Sequence, residues 1–308
     1  DIECVLDEKL NQLRGQERIT YYNQSPSTLT YLWMQLDENE HSAESDKHKM
    51  DSRQINGVMS EDALRMLEPW RELNQYGDKI ISILDENQTP LPYTINQTMM
   101  RVNLPHPLKP GEQFSFNVSW YYNLIDRMNS TSWGRGGYEH FEKDGNSLYT
   151  IVQWYPRLCA YTDDAGWQNK QFVGRGEFAL TFGDYDVNIT LPSDHVVAGT
   201  GECLNYKEIL TSAQYNRWMQ SQSVKSPLEI VTLAEARANE LTPISTKTKT
   251  WRYTAKNVRD FAWTASKKFV WDAMPHYNEL GQKVMCMSLY GKEAYPIYNK
   301  YSTKVVDH

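Results

Sequence analysis

Leu148 to Leu191 reads LYTIVQWYPRLCAYTDDAGWQNKQFVGRGEFALTFGDYDVNITL, and this stretch decides the fold class. Phe178, Leu180 and Phe182 alternate with Glu177, Ala179 and Thr181. After Gly183-Asp184, Tyr185, Val187, Ile189 and Leu191 alternate with Asp186, Asn188 and Thr190. Period two on both sides of a Gly-x pair predicts a β-hairpin with a type II′ turn at Gly183. Ahead of it, Tyr149 to Trp154 is mostly apolar and reads as a buried strand that stops at Pro156, which has no N–H for a ladder. Between the two lies Arg157 to Gly176, rich in Arg, Asp, Trp, Asn, Gln and Gly. A polar and aromatic loop held between firm β elements is a natural place for binding residues.

The same texture continues in both directions. Asp1 to Tyr22 reads as two strands around Asp7-Glu8-Lys9, with Gly15 near the start of the second. Leu29 to Leu36 reads as a strand with Leu29, Tyr31 and Trp33 on one face. Glu38 to Gly57 is polar enough to be a solvated loop, with His41 and His48 as surface groups. Ser60 is placed to cap a helix running to Trp70. Lys79 to Leu84, Leu91 to Ile95 and Met99 to Leu104 are short strands, and Pro105 to Gly111 is a turn region. Phe114, Phe116, Val118 and Trp120 line one face of another strand. Asp144-Gly145 marks a tight turn. Lys207 to Gln222 and Leu228 to Glu240 are predicted helices, and Trp251, Val258 to Ala265, Phe269 to Ala273 and Lys283 to Leu289 return to strand, with a helix from Tyr295. Many short strands separated by turn signals, with few helices, predict a mainly β chain. Its architecture is a large antiparallel sandwich or saddle-shaped sheet.

Composition narrows the function classes. A net charge of −7 over 308 residues leaves no basic block to neutralise phosphates, so a nucleic-acid partner is not expected. No segment has the apolar length of a transmembrane helix. Cys4, Cys159, Cys203 and Cys286 are widely spaced, without C-x-x-C, and read as buried free thiols, with a single disulfide left open. None of the seven histidines begins H-E-x-x-H, so no metal ligands and no catalytic residues are assigned within this chain. Asp184-x-Asp186-x-Asn188 lacks the glycine of a calcium loop, Ile189 standing in its place. Asp163 and Asp164 read as turn residues, with a carboxylate pair for sugar chemistry as the alternative. Trp154, Tyr155, Tyr161 and Trp167 divide between core packing and ligand stacking.

Several blocks resemble one family. Leu108-Lys109-Pro110-Gly111-Glu112 precedes a strand, and the Gln153 to Trp167 block and Gly176-Glu177-Phe178 follow in order. Then come Thr250-Trp251-Arg252-Tyr253 and Asn257-Val258-Arg259-Asp260-Phe261-Ala262-Trp263. In order and spacing the chain resembles the N-terminal part of the gluzincin zinc aminopeptidases, the type of membrane alanyl aminopeptidase and leukotriene A hydrolase, in its bacterial branch. The resemblance implies a saddle-shaped β domain over residues 1–255. It implies that residues 256–308 are the truncated opening of a thermolysin-like α+β catalytic domain. G-x-M-E-N, H-E-x-x-H and the third zinc ligand lie further on in that family. The zinc is therefore expected in the parent's remaining part, and this chain alone is expected to be inactive. Gln153 matches the family residue that helps hold the free amino group of the peptide substrate, and an amide oxygen suits an ammonium. Asp163-Asp164-Ala165-Gly166-Trp167 departs from the family's Asp/Glu-Glu-Pro. The partners implied are a peptide N-terminus and the rest of the catalytic domain, and the location implied is periplasmic or exported. The rival readings are a free-standing β-sandwich binding module for carbohydrate or protein, and an inactive scaffold of peptidase descent.

Overall fold

The computed structural model describes residues 1–50, 57–65, 75–128, 135–174 and 180–307. Its largest sheet has seven strands in the order Glu202–Cys203, Thr248–Val258, Gly183–Pro192, Ile2–Asp7, Gln12–Tyr22, Gln113–Asn123 and Lys79–Asp85. Neighbours are antiparallel except for Ile2–Asp7 against Gly183–Pro192, which run parallel with Ile2 opposite Val187. A four-stranded sheet joins Arg157–Leu158, Leu29–Gln35, Met99–Leu108 and Tyr93–Asn96. A second orders Val196–Gly199, Trp263–Ser266, Asn146–Ile151 and Gly137–Phe141. Leu228–Val231, Phe269–Tyr277 and Lys283–Gly291 make a three-stranded sheet. The protein is mainly β, built of several antiparallel sheets with a few short helices, as the strand-and-turn pattern predicts.

One contiguous apolar core runs through these sheets, from Ile2 and Leu13 through Trp120 and Trp154 to Trp251 and Trp271. The inward face of Gln113–Asn123 is the predicted one, with Phe116, Val118 and Trp120 fully buried. Trp120 lies opposite Gly15, where any Cβ would collide with the indole. That close approach explains a glycine inside a strand, where it otherwise costs backbone entropy.

The deciding stretch folds differently from its sequence pattern in one respect. Gly183 and Asp184 are not a hairpin turn. Gly183 begins the strand Gly183–Pro192 and pairs with Val258, so this antiparallel partner comes from far downstream, Thr248–Val258, rather than from the residues just before it. Residues 177–179 of the expected first arm lie outside the described residues. Val187, Ile189 and Leu191 are buried as the alternation requires, with Asp184 and Asp186 outside. Periodicity assigned the face and could not assign the neighbour.

Other differences have local causes. In Leu29–Gln35 the core face is Leu32 and Met34, not Tyr31 and Trp33, because the pairing register shifts between Leu29 and Tyr31. Between those pairs this strand advances two residues while its partner advances five, from Leu108 to Asn103, and the irregularity turns the later side chains to the other face. Leu228–Val231 is a strand, and the helix begins only at Leu233. Thr232 caps it through a reciprocal box with Glu235, a signal present in the sequence as Thr232-Leu233-Ala234-Glu235. Val258 to Ala265 is not one strand: Thr248–Val258 ends there and Trp263–Ser266 starts a new one. The polar stretch after Glu38 is not a solvated loop at its start. Asp37–His41 is a buried 3-10 turn, with His41 only 4% exposed. His48 is half-buried in a four-residue helix, Asp46–Lys49. The Ser60 cap is present, its Oγ accepting from the Ala63 N–H at 3.2 Å. The predicted helix beyond Arg65 falls outside the described residues.

All four cysteines are buried free thiols. Among the described residues no helix is long and apolar enough to cross a membrane. Ala255 lies inside Thr248–Val258, opposite Tyr185. The strands beyond it pair with strands before it: Trp263–Ser266 with both Val196–Gly199 and Asn146–Ile151, and Phe269–Tyr277 with Leu228–Val231.

Candidate functional site

Gln153 sits where the strand Asn146–Ile151 gives way to the Pro156 turn. Its φ is 55°, in the left-handed region that a residue with a Cβ rarely adopts. The next residue explains how this is held. Trp154 is fully buried, its Nε1 donates to the Phe261 carbonyl at 2.9 Å, and its own carbonyl accepts from Trp120 Nε1 at 3.3 Å. Its ring packs edge-on against Tyr155 and Trp263. The anchored indole fixes the chain on one side of Gln153, and the sheet fixes it on the other. The half-buried Gln153 side chain makes no hydrogen bond to any described residue, while a non-glycine residue in this conformation costs about 1 kcal/mol or more.

Four residues on, Arg157 is 5% exposed and serves the fold rather than a ligand. Its Nη2 lies 2.6 Å from Asp37 Oδ2 and 3.1 Å from Gln35 Oε1, and its Nη1 lies 2.8 Å from Asp260 Oδ2. Tyr155 donates its hydroxyl hydrogen to Asp260 Oδ1 and also lies 3.1 Å from the Tyr185 hydroxyl. One guanidinium thus ties together the end of Leu29–Gln35, the buried turn Asp37–His41 and the Asp260 segment. Burial pushes the Asp37 carboxyl up to about 6 against the pull of Arg157, so at pH 7 it still carries its charge.

Behind Arg157 is a concentration of acid groups that the sequence did not reveal. Asp37, Glu38, Glu40 and Asp78 are all under 10% exposed. Glu40 pairs with Lys47 at 2.7 Å and with His41 at 3.3 Å. Burial, with the charge of Asp37 beside it, raises Asp78 to about 8, and burial raises Glu38 well above the carboxylate range. Burial holds His41 down at about 3, so its imidazole is neutral. Asp78 and Glu38 keep their protons at neutral pH, which lets them stay buried.

Among the described residues one trio of side chains lies close enough to share a cation: Asp144, Glu240 and Glu293. The Lys268 ammonium already occupies it, 2.8 Å from Asp144, 3.0 Å from Glu293 and 3.5 Å from Glu240, with Lys292 2.5 Å from Glu240. This is an ion-pair cluster with its own cations.

The remaining candidates resolve toward packing. Asp163 and Asp164 form the exposed turn between Tyr161–Thr162 and Gly166–Trp167, with Gly166 at φ 70°. They are turn residues, far more open to water than a glycosidase pair. Trp154 and Tyr155 are core. Trp167 rests edge-on against Tyr161, 5.2 Å between centroids, and beside Tyr21.

No family model and no curated protein matches this chain. Solved structures do. A two-domain M1 zinc metallopeptidase bound to L-tryptophan aligns with a TM-score of 0.50 at 11% identity, covering 99% of this chain and 51% of that one. The fold is similar to about half of an M1 zinc metallopeptidase. The M1 zinc metallopeptidase of Deinococcus radiodurans, bound to a Tyr-Ser-Ala substrate, aligns at 0.49 with 11% identity over 99% of this chain and 50% of that one. A further structure of the same enzyme aligns at 0.47 with 12% identity over 94% and 46%, and it and the substrate-bound structure are both of a mutant form. The chain therefore spans about half the length of the M1 structures it matches, and at such identity the likeness is one of fold.

Proposed function

We propose that this chain is the N-terminal, non-catalytic part of a zinc aminopeptidase-like protein of the gluzincin type, bacterial branch, and that it shapes the substrate cleft and receives the peptide's free N-terminus. The observation that carries the reading is Gln153. A strained backbone, a rigid tryptophan anchor and a side-chain amide without an internal partner are what a ligand contact needs. Its carbonyl oxygen accepts hydrogen bonds from an ammonium, which supplies three donors. The sequence contains no H-E-x-x-H, so the zinc that would polarise the scissile carbonyl belongs to the other half of the M1 architecture. On this chain's side, Arg157 and Trp154 hold Gln153 in place and perform no chemistry.

An exposed apolar face supports the need for a second half. Ile297, Tyr298, Tyr301, Val305 and Val306 are between 47% and 70% exposed on the helices Tyr295–Tyr298 and Tyr301–Asp307. Buried Asp272 fixes the second of these helices by accepting from Thr303 Oγ1, and it is itself held by the Tyr290 hydroxyl, which donates to it at 2.7 Å. A fixed, apolar and uncovered surface is characteristic of an interface. The division near Ala255 is proposed as a boundary between functional halves within one co-folded body. Limited proteolysis that releases a stable 1–255 fragment would make it a boundary between bodies as well.

The test is NMR observation of the Gln153 side-chain amide, assigned with Gln153→Glu, during titration with a short peptide carrying a free or an acetylated N-terminus. The free peptide is expected to shift the signal and the acetylated one to leave it in place. Equal responses would overturn the reading, as would brisk cleavage of aminoacyl-anilides by this chain supplied with zinc. The rival binding-module reading draws little support, because its leading platforms, Trp154 and Tyr155, are buried in the core.

A further inference from the structure

A cavity of about 410 Å³ opens beside the turn that precedes Val196–Gly199. Val196, Ile209, Val231 and Ala236 form its apolar wall, and the helices Ser212–Ser221 and Leu233–Glu240 flank it. Its volume falls in the range of small-molecule sites, which bury an apolar body and fix it with a few polar groups.

The charged groups of this cavity, Asp194, Glu235, Lys249 and Lys267, are unevenly paired. Asp194 is spent: its Oδ1 faces His195 Nδ1 at 3.0 Å, and its Oδ2 accepts from the Ser245 N–H at 2.9 Å with Lys267 at 3.6 Å. Glu235 is spent too, taken by Arg217 at 2.5 Å and by the N–H and hydroxyl of Thr232. Lys267 donates to the Thr242 carbonyl at 2.5 Å. Lys249 is different. Its Nζ reaches one acceptor, the Ile209 carbonyl, at 3.5 Å, and otherwise lies 5.1 Å from the Trp251 ring centroid. An ammonium has three donors, so two have no protein acceptor in this arrangement. Gln214, at the mouth of the flanking helix, uses its Oε1 on the Thr211 N–H and has its Nε2 donors left over.

We propose that this cavity binds a small organic monocarboxylate with a short aliphatic tail, its carboxylate on Lys249 and its tail on the Val196–Val231 wall. A carboxylate satisfies the unspent ammonium donors, and a charge-assisted pair in a partly dry site is stronger than one in water. The apolar wall is what distinguishes this ligand from a bare oxyanion. The site is separate from Gln153 and is independent of the peptidase reading. Burial lowers the Lys249 amine to about 8, against the smaller opposing pull of Asp194.

The probes are butyrate, neutral butyramide and inorganic phosphate, added at roughly 50 mM, well above a millimolar Kd. The readout is the titration midpoint of the Lys249 side-chain NMR signal, assigned by its loss in Lys249→Gln. Butyrate at about ten times its Kd is expected to raise the midpoint by about one pH unit, since it binds the protonated form. It should also raise Tm in the native chain and in Lys249→Arg, and leave Tm unchanged in Lys249→Gln. Lys249 makes a single long bond, so its replacement leaves the fold intact. An unmoved midpoint with butyrate overturns the proposal. So does an equal response to butyramide, which would remove the role of charge, or a response to phosphate alone, which would remove the role of the wall.

Discussion

Two charge clusters, one around Lys268 and one around Asp78, answer the problem of carboxylates drawn out of water in different ways. Around Lys268 there are three carboxylates and two ammonium groups, and the Lys268 Nζ also sits 3.6 Å above the Phe141 ring. Around Asp78 there are four acid groups, and the cations that reach them, Arg157 and Lys47, engage Asp37 and Glu40 alone. The first cluster is charged and internally paired. The second relieves part of its charge by keeping protons on Asp78 and Glu38. A buried charge can be tolerated through a partner or through neutralisation, and this chain uses both.

The two clusters should therefore answer pH in opposite directions. Asp144 feels burial pushing its carboxyl up, but hydrogen bonds from Lys268 and Asn146 outweigh that and hold it at about 2. Its folded value is below the unfolded one, so its contribution is present above about pH 4 and is lost as pH falls toward 2. Asp78 has a folded value of about 8, above the unfolded one. Its proton is retained on folding at no cost below about pH 4, and stability is lost as pH rises toward 8.

The largest effect is expected from breaking the paired cluster. Lys268→Met should cost roughly 3–5 kcal/mol, because the buried Glu240 and the largely enclosed Asp144 lose this cation and keep only Lys292. Urea denaturation at pH 7 measures it, and a loss under 1 kcal/mol would mean that water already screens the site. Next, Asp78→Asn should stabilise the protein by roughly 1–4 kcal/mol at pH 8 and have almost no effect at pH 4. Thermal melts across that range check the sign, and a constant difference would show that Asp78 carries no folding-linked proton. Smallest is Gln153→Gly, which should leave stability unchanged or raise it by up to about 1 kcal/mol, since glycine adopts a positive φ freely. The same variant should lose the response to a free peptide N-terminus. A residue that costs stability and is needed for recognition sharpens the contrast with clusters that exist only to hold the fold.

Much of the architecture was legible because it depends on period-two patterning. Val187, Ile189 and Leu191, and Phe116, Val118 and Trp120, point inward as their spacing requires. What patterning lacks is the identity of the neighbouring strand. Gly183-Asp184 has the composition of a turn, and only the distant pairing with Val258 and Ala255 reveals a strand. The bulge after Leu29 was invisible for the same reason, since register is a property of two chains. The site divides similarly. Gln153 is a candidate through resemblance alone, while its left-handed backbone and free amide needed coordinates. Asp37 to His41 looked like solvent-facing sequence, because composition reports polarity and cannot report that Arg157, 120 positions away, closes over Asp37. The Thr232–Glu235 box is the exception, a local signal written in four residues that was there to be read.

The placement of Ile2–Asp7 between Gln12–Tyr22 and Gly183–Pro192 governs how the molecule can be assembled. During synthesis the first hairpin emerges early, with one flank unpaired, and must wait until residues around Val187 leave the ribosome before its parallel partner exists. Through that interval the nascent chain presents an open flank containing Cys4 and Ile2, side chains that end up fully enclosed. Such long-range closure is slow and invites wrong partners. Production of this chain should therefore depend on elongation rate and on chaperone supply.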